Sequence, residues 1–190
     1  GVSRSGACDA LALRMGNAIL GNEQNAAGLE VAMGGARVRC NSPCAVALTG
    51  ADCAATLSRG LLPDAPAERV HVNEVVHMRS GDELELGFAK DGARAYVCVQ
   101  GGVDARVVLG SRSTDLRAGL GDRAVRDGDR LFRRLDSDDE DDHVVPVRST
   151  PDPLREERES GEWRLRILSG PGNPAAKDGS GDDDDGLLKS

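Results

Sequence analysis

Residues 83–99 read ELELGFAKDGARAYVCV, and the class of the fold turns on how this stretch is understood. Apolar and polar residues alternate through Glu83 to Phe88, as they do in a strand with one face buried. The stretch Ala93 to Val99 is rich in the β-branched and aromatic residues that favour strands. Between them sits Asp91-Gly92, a dipeptide suited to the positive φ angles of a type I′ turn. Residues 83–99 are therefore expected to form a β-hairpin.

Working backward, the chain keeps the same period. LEVAM (29–33), ARVRC (36–40), CAVALTG (44–50) and ATLS (55–58) are short runs separated by turn residues, which reads as successive strands. A loop is expected over 61–68, LLPDAPAE, followed by a strand over 70–78. Only the first 20 or so residues break the pattern. Asp9 is a good helix N-cap, Leu11, Met15, Ala18 and Ile19 recur at helical spacing, and Gly21-Asn22 supplies a stop. Gly16 weakens that helix by about 1 kcal/mol relative to Ala, so it marks a close packing contact. The reading is a mainly β domain with one N-terminal helix.

Working forward, residues 94–122 concentrate glycines and small polar groups, with Gly110-Ser111-Arg112-Ser113-Thr114-Asp115 at the centre. Glycine lets backbone N–H groups approach a ligand closely, and hydroxyls beside a guanidinium suit an anion or a polarised carbonyl. Arg112, Ser113 and Thr114 are thus the candidate contacts. Gly119-Leu120-Gly121-Asp122-Arg123-Ala124 formally fits the dinucleotide fingerprint, yet lacks the preceding strand and following helix that give it meaning. Residues 128–132 are expected to turn into a last strand. Beyond them, 136–161 is acidic and proline-containing and reads as a disordered linker, Trp163 to Leu168 as one more strand, and 173–190 as a disordered tail.

Composition narrows the function. The chain of 190 residues suits one ordinary domain. Of its net charge of −8, ten negative charges lie in residues 136–142 and 182–185, so the remainder carries +2. With aromatics at 2%, there is no stacking platform for bases, and nucleic-acid binding is disfavoured. No apolar run approaches the roughly 20 residues needed to span a bilayer. Five cysteines at irregular spacing, with no signal peptide before them, suggest a reducing, cytoplasmic setting. Cys40 and Cys44 form one loose pair and read as buried thiols. His71, Glu74 and His77 have metal-ligand chemistry but not the spacing of a helical zinc site, and no metal is expected. Neither a phosphate-loop lysine motif nor a nucleophile elbow is present.

Several blocks, in order, carry a family likeness. GVSRSGACDALALRMGNAILGN, GLEVAMGG, ALTGAD, ARAYVCVQGGVDARVVLGSRSTDLRAGLG and DGDRL together resemble the carboxyltransferase family, which includes allophanate hydrolase subunit 2, the C subunit of 5-oxoprolinase and the carboxyltransferase region of urea amidolyase. EWRLRILSGPG resembles the start of that family's second half. The resemblance implies a cyclophilin-like β-barrel subdomain over 1–135, with the second subdomain begun at 162–172 and largely missing. It implies a subunit of a 5-oxoprolinase or allophanate-hydrolase type complex acting on a small amide with ATP, beside a companion resembling allophanate hydrolase subunit 1. A non-catalytic module docking on such a partner, or a urea amidolyase fragment that would call on biotin, are the alternatives. Asp9, Glu30 and Asp52 fall in matching blocks and join the candidate site residues. The same likeness leaves the catalytic group itself unassigned.

Overall fold

The computed structural model describes residues 5–62 and 64–134, all within one compact unit, Gly1–Thr150. The expected linker, the strand at Trp163 to Leu168 and the polar tail lie outside the described residues. Among the described residues one helix and eight strands make up the regular structure: α1 (Ala10–Leu20), β1 (Leu29–Ala32), β2 (Gly34–Arg39), β3 (Cys44–Asp52), β4 (Thr56–Ser58), β5 (Glu68–Arg69), β6 (Glu74–Met78), β7 (Glu83–Phe88) and β8 (Asp91–Val99). The fold is mainly β, in two antiparallel sheets with one N-terminal helix, as the sequence indicates. Among the described residues no helix is long and apolar enough to cross a membrane.

The sheets have the orders β1-β8-β3-β6 and β2-β7-β4-β5. Each strand of the first sheet runs on along the chain into the strand at the same place in the second. Four long segments, 29–39, 83–99, 44–58 and 68–78, thus bend at a corner and serve both sheets, which is how orthogonal packings are built. Between the sheets lies the main core, with Val31, Val46, Leu48 and Val97 from one side and Leu57, Leu84 and Leu86 from the other. A second cluster fills the outer face of the first sheet, where Ala12, Ile19 and Leu20 of α1 meet Ala45, Ala47, Tyr96 and Cys98. Both faces of β8 are therefore covered, and Ala95, Tyr96, Val97 and Cys98 are buried in succession.

The expected hairpin over 83–99 does not form. β7 pairs with β2 and β4, whereas β8 pairs with β1 and β3. The whole stretch is one bent strand lying along 29–39. Phe88 faces Gly34 and Arg94 faces Ala32, so five residues on one side oppose Met33 alone on the other. Met33 accepts from the Ala89 N–H and donates to the Ala93 carbonyl, both at 2.9 Å, and the surplus residues bulge at the corner. Gly92 does have a positive φ of 80°, but Asp91 does not, which excludes a type I′ turn. What Gly92 provides is room, since a Cβ there would stand 3.0 Å from that of Ala51. A dipeptide's φ preference is local, whereas reversal of the chain depends on which distant segment pairs with it.

Three smaller differences have local causes. The strand expected over 70–78 starts only at Glu74, because Asn73 takes a φ of 65° and donates its N–H to the Leu48 carbonyl at 2.6 Å. Glu68 and Arg69, at the edge of the expected 61–68 loop, form the short β5. The strand expected near 128–132 reduces to a single bridge, Val103 to Arg133, closing an irregular arm over 103–134.

Asp9 caps α1 by accepting from the Ala12 N–H at 3.0 Å, and Gly21 ends it in the left-handed conformation. The buried stripe is Ala12, Gly16, Ile19 and Leu20, one position on from the expected Leu11, Met15, Ala18 and Ile19; Leu11 is exposed. The stripe is centred on Gly16 because the helix comes closest to the sheet there. A Cβ at Gly16 would lie 2.6 Å from the Cys98 Sγ and 3.1 Å from the Thr49 Oγ1. Gly16→Ala is expected to destabilise the domain by about 1–3 kcal/mol through overpacking, despite its better helix propensity. Denaturant unfolding of the single variant and of Gly16→Ala with Cys98→Ala measures this, and the second substitution should restore part of the loss.

Candidate functional site

On the outer side of the first sheet, α1, the 23–30 segment and the arm enclose an open cleft of about 1270 Å³. Its walls include Ala10, Leu13 and Arg14 of the helix, Glu30 of β1, and Arg112, Ser113 and Thr114 of the arm. Two asparagines hold these walls in place. Asn17 is fully buried in the helix, and its amide donates to the Ala26 carbonyl at 2.9 Å. Asn22 donates to the Asn17 Oδ1 at 3.0 Å and to the Val99 carbonyl at 2.8 Å, while its Oδ1 accepts from the Gly101 N–H at 2.8 Å. Such a buried, fully used amide network fixes geometry because breaking it strands polar groups. Sequence reading gave neither residue a role in the cleft: the expected stripe of Leu11, Met15, Ala18 and Ile19 left Asn17 on the outer side of the helix, and Asn22 was read only as part of the helix stop.

Glu30 sits at the floor of the cleft as an ion held on several sides. Its Oε2 accepts from the Tyr96 hydroxyl at 2.8 Å and from the Cys8 N–H at 2.9 Å, and its Oε1 lies 3.3 Å from the Arg94 Nε. Burial works to raise the Glu30 pKa, but the Cys8 N–H, the Tyr96 hydroxyl and the Arg94 charge outweigh it and hold the carboxyl below its usual value. Burial, together with the Glu30 carboxylate, pushes the Tyr96 hydroxyl up, so the phenol keeps its proton. That hydroxyl also accepts from the Asp9 N–H at 2.7 Å, linking the helix start to the floor. Glu30 is thus an ionised acceptor whose lone pairs are largely used. It is suited to orienting its neighbours rather than to giving up a proton.

The candidate residues of the arm are brought to the same cleft. Arg112 donates to the Ala105 carbonyl, which spends part of its guanidinium on shaping the arm. The Ser113 hydroxyl lies 2.8 Å from that of Ser111, and the Thr114 carbonyl accepts from the Ser5 hydroxyl at 3.3 Å. Asp9 stands at the helix start with its carboxylate engaged as the cap. Asp52 is placed elsewhere: it ends β3, accepts from the Ala54 N–H and pairs with Arg69 at 2.8 Å, and it does not line the cleft. The residues 119–124 pack back on the arm, since a Cβ at Gly121 would meet the Ser113 carbonyl oxygen at 2.4 Å. Close packing, rather than a phosphate, accounts for that glycine.

Cations in the cleft are mostly committed. Arg123 pairs with Asp129 at 2.7 Å and Arg106 donates to the Gly121 carbonyl. Arg14 and Arg130 are exposed and line the cleft, and their guanidiniums make no hydrogen bond or ion pair with another described residue. A free guanidinium on each of two walls, Arg14 on the helix and Arg130 on the arm, suits a small carboxylate. They fall short of the converging cations and N–H groups that a triphosphate needs, so the described residues do not by themselves form an ATP site. His71 and His77 are exposed, and among the described residues no three His, Cys, Asp or Glu side chains are grouped to hold a metal.

A mainly β domain of bent strands, with a helix-walled cleft on one sheet, is the class that this geometry defines. The chain belongs to the carboxyltransferase domain, subdomain A and B family, whose profile matches residues 1–180. It is 39% identical to the C subunit of 5-oxoprolinase from Escherichia coli over 134 residues, covering 69% of this chain and 41% of that protein. With the Haemophilus influenzae C subunit of the same enzyme the identity is 35% over 161 residues, covering 82% and 48%. Urea amidolyase of Saccharomyces cerevisiae is 29% identical over 178 residues, which cover 92% of this chain and 9% of that one. The chain therefore spans less than half the length of these relatives. Among solved structures, TTHA0988 in space group P212121 superposes with a TM-score of 0.74 at 31% identity, covering 90% of this chain and 31% of that one.

Because the folded-state pKa of Glu30 lies below its ordinary value of 4.5, its contribution to stability is complete above that pH and is lost as the pH falls through the lowered pKa. Glu30→Gln should accordingly show a shallower loss of stability on acidification than the parent protein, read by denaturant unfolding across the range from pH 6 downward. Tyr96→Phe, which strands the Asp9 N–H and removes one of the donors to the Glu30 carboxylate, should cost about 1–3 kcal/mol at neutral pH.

Proposed function

We propose that this chain is a component of a 5-oxoprolinase-type assembly, and that its cleft takes a small cyclic amide bearing a carboxylate. The observation that carries this reading is a single cleft lined both by the free Arg14 guanidinium and by the Ser111 and Ser113 hydroxyls, in a chain similar over most of its length to proteins named as the C subunit of such an enzyme. 5-Oxoproline has a carboxylate for Arg14 and a ring carbonyl and N–H for the hydroxyls. Urea is neutral and gives an unpaired guanidinium nothing to neutralise, so the charge of the cleft favours the first substrate over the second. ATP and any reaction routed through it are assigned to a companion subunit resembling allophanate hydrolase subunit 1. A cytoplasmic setting, which supplies ATP, suits the same reading.

The residue roles follow from what each group has left to give. Arg14 anchors the substrate carboxylate. The arm hydroxyls orient the amide by donation to its carbonyl, the polarisation that precedes ring opening. Glu30, Tyr96 and Arg94 keep the floor rigid beneath them. We assign the companion contact to the arm, where Leu109 is exposed outside the cleft lining and Leu116 at the cleft is exposed as well.

The test combines the chain with its companion proteins, ATP and 5-oxoproline and measures glutamate release, with a full-length relative active in parallel. Arg14→Ala is expected to raise the KM for 5-oxoproline about tenfold or more, the cost of losing one charge-assisted contact. No ATP-dependent glutamate release beside an active relative would defeat catalytic competence for this chain. Stable binding of the companion without any binding of 5-oxoproline would instead favour a purely regulatory docking module.

A further inference from the structure

Away from the cleft, β2 ends at Arg39 and β3 begins at Cys44, with Cys40 just past the first strand and Cys44 opening the second. Their sulfurs lie 3.7 Å apart. Both backbones are anchored. The Cys40 N–H donates to the Asp82 carbonyl and its carbonyl accepts from the Gly81 N–H, each at 2.8 Å, while Cys44 sits in register opposite Met78. Asp82 is itself buried, ion-paired with Arg59 at 2.9 Å and bonded to the Arg79 N–H, so the loop that pins Cys40 is firm.

From this we propose that Cys40 and Cys44 form a reversible disulfide, a modification site distinct from the cleft. A disulfide needs about 2.05 Å between sulfurs, and thiols already in contact close that distance by rotating their side chains rather than by moving strands. The two thiols differ in access. Cys44 is half-buried whereas Cys40 is buried, with its thiol donating to the Ser42 carbonyl at 2.8 Å. Cys44 therefore meets an oxidant first and Cys40 resolves it. With a low-molecular-weight disulfide as oxidant, the Cys44 thiolate attacks one sulfur and expels one thiol. The Cys40 thiolate then attacks the Cys44 sulfur of the mixed disulfide and expels the second thiol. Two protein thiols are oxidised, one external disulfide is reduced, and their protons end on the two released thiols. Burial and the neighbouring Cys40 thiol push the Cys44 thiol up to about 12, and the Arg133 charge at the end of the arm offsets only part of this, so the exchange runs through a small thiolate fraction and is slow at neutral pH. Cys8 is exposed without a sulfur neighbour, and Cys53 and Cys98 are buried, so the remaining cysteines serve as internal controls.

The experiment incubates the folded protein with glutathione disulfide, counts thiols and maps the product by mass. Two of the five thiols should be lost, with a decrease of about two mass units in the tryptic peptide that runs from Cys40 to Arg59, and fragmentation of that peptide should leave its third cysteine, Cys53, as a free thiol. Cys40→Ser should stop at one glutathione adduct on Cys44, and Cys44→Ser should leave Cys40 unmodified; circular dichroism of each variant establishes that it is folded. A thiol count that stays at five, or one that falls through Cys8 with no link between Cys40 and Cys44, overturns the proposal.

Discussion

The contact on which the rest of this structure depends is the seat of α1 on the first sheet at Gly16. With no side chain at that position, the helix comes close enough for the buried Thr49 hydroxyl to donate to the Ala12 carbonyl at 2.7 Å. That approach sets the rotation of the helix about its own axis. It turns Ala12, Ile19 and Leu20 inward, brings Asn17 under the 23–27 segment, and leaves Arg14 facing the cleft. A bulkier residue would lift the helix and uncouple all three consequences together, because interiors transmit strain rather than absorb it.

The main core and the cleft are built on opposite faces of the same sheet. Alternate residues of β8 make the division visible, with Ala95 and Val97 facing the second sheet and Tyr96 and Cys98 facing the helix. Corner bends at Met33-Gly34, at the 89–93 bulge, near Asp52 and at Asn73 let four long segments supply both sheets, so the core closes without help from the helix. Most of the polar groups around the cleft are consumed in shaping it. Asn17, Asn22, Glu30, Arg106 and Arg112 each satisfy a buried or strained piece of backbone or a neighbouring charge, which leaves recognition to a small remainder of hydroxyls and guanidiniums. A site of this kind is rigid but sparsely equipped. It fits a protein that shares its chemistry with a companion, as the proposed assembly requires.

Much of the local structure was legible in the chain alone. The Asp9 cap, the Gly21 stop, the close contact at Gly16 and the positions of β1 to β4 follow from properties of one residue or of adjacent ones. The buried stripe of α1 was displaced by one position because hydrophobicity marks Leu11, while the geometry of approach marks Gly16. Glu30 could be named as a candidate but not understood, since Tyr96 lies 66 residues away and Arg94 nearly as far. Asn22 bridges 77 residues to Val99, a contact with no signature in spacing.

The stretch at 83–99 shows where the line falls. Its own residues determined that it would be extended, that it would be buried, and that the backbone would take a positive φ at Gly92. Those outcomes depend on φ preference and hydrophobicity, which neighbouring residues settle among themselves. Whether the chain would reverse there was decided only by pairing with 29–39 and 44–58. Segments distant in sequence met it on both sides, and the stretch that locally favoured a turn became one bent strand running through two sheets.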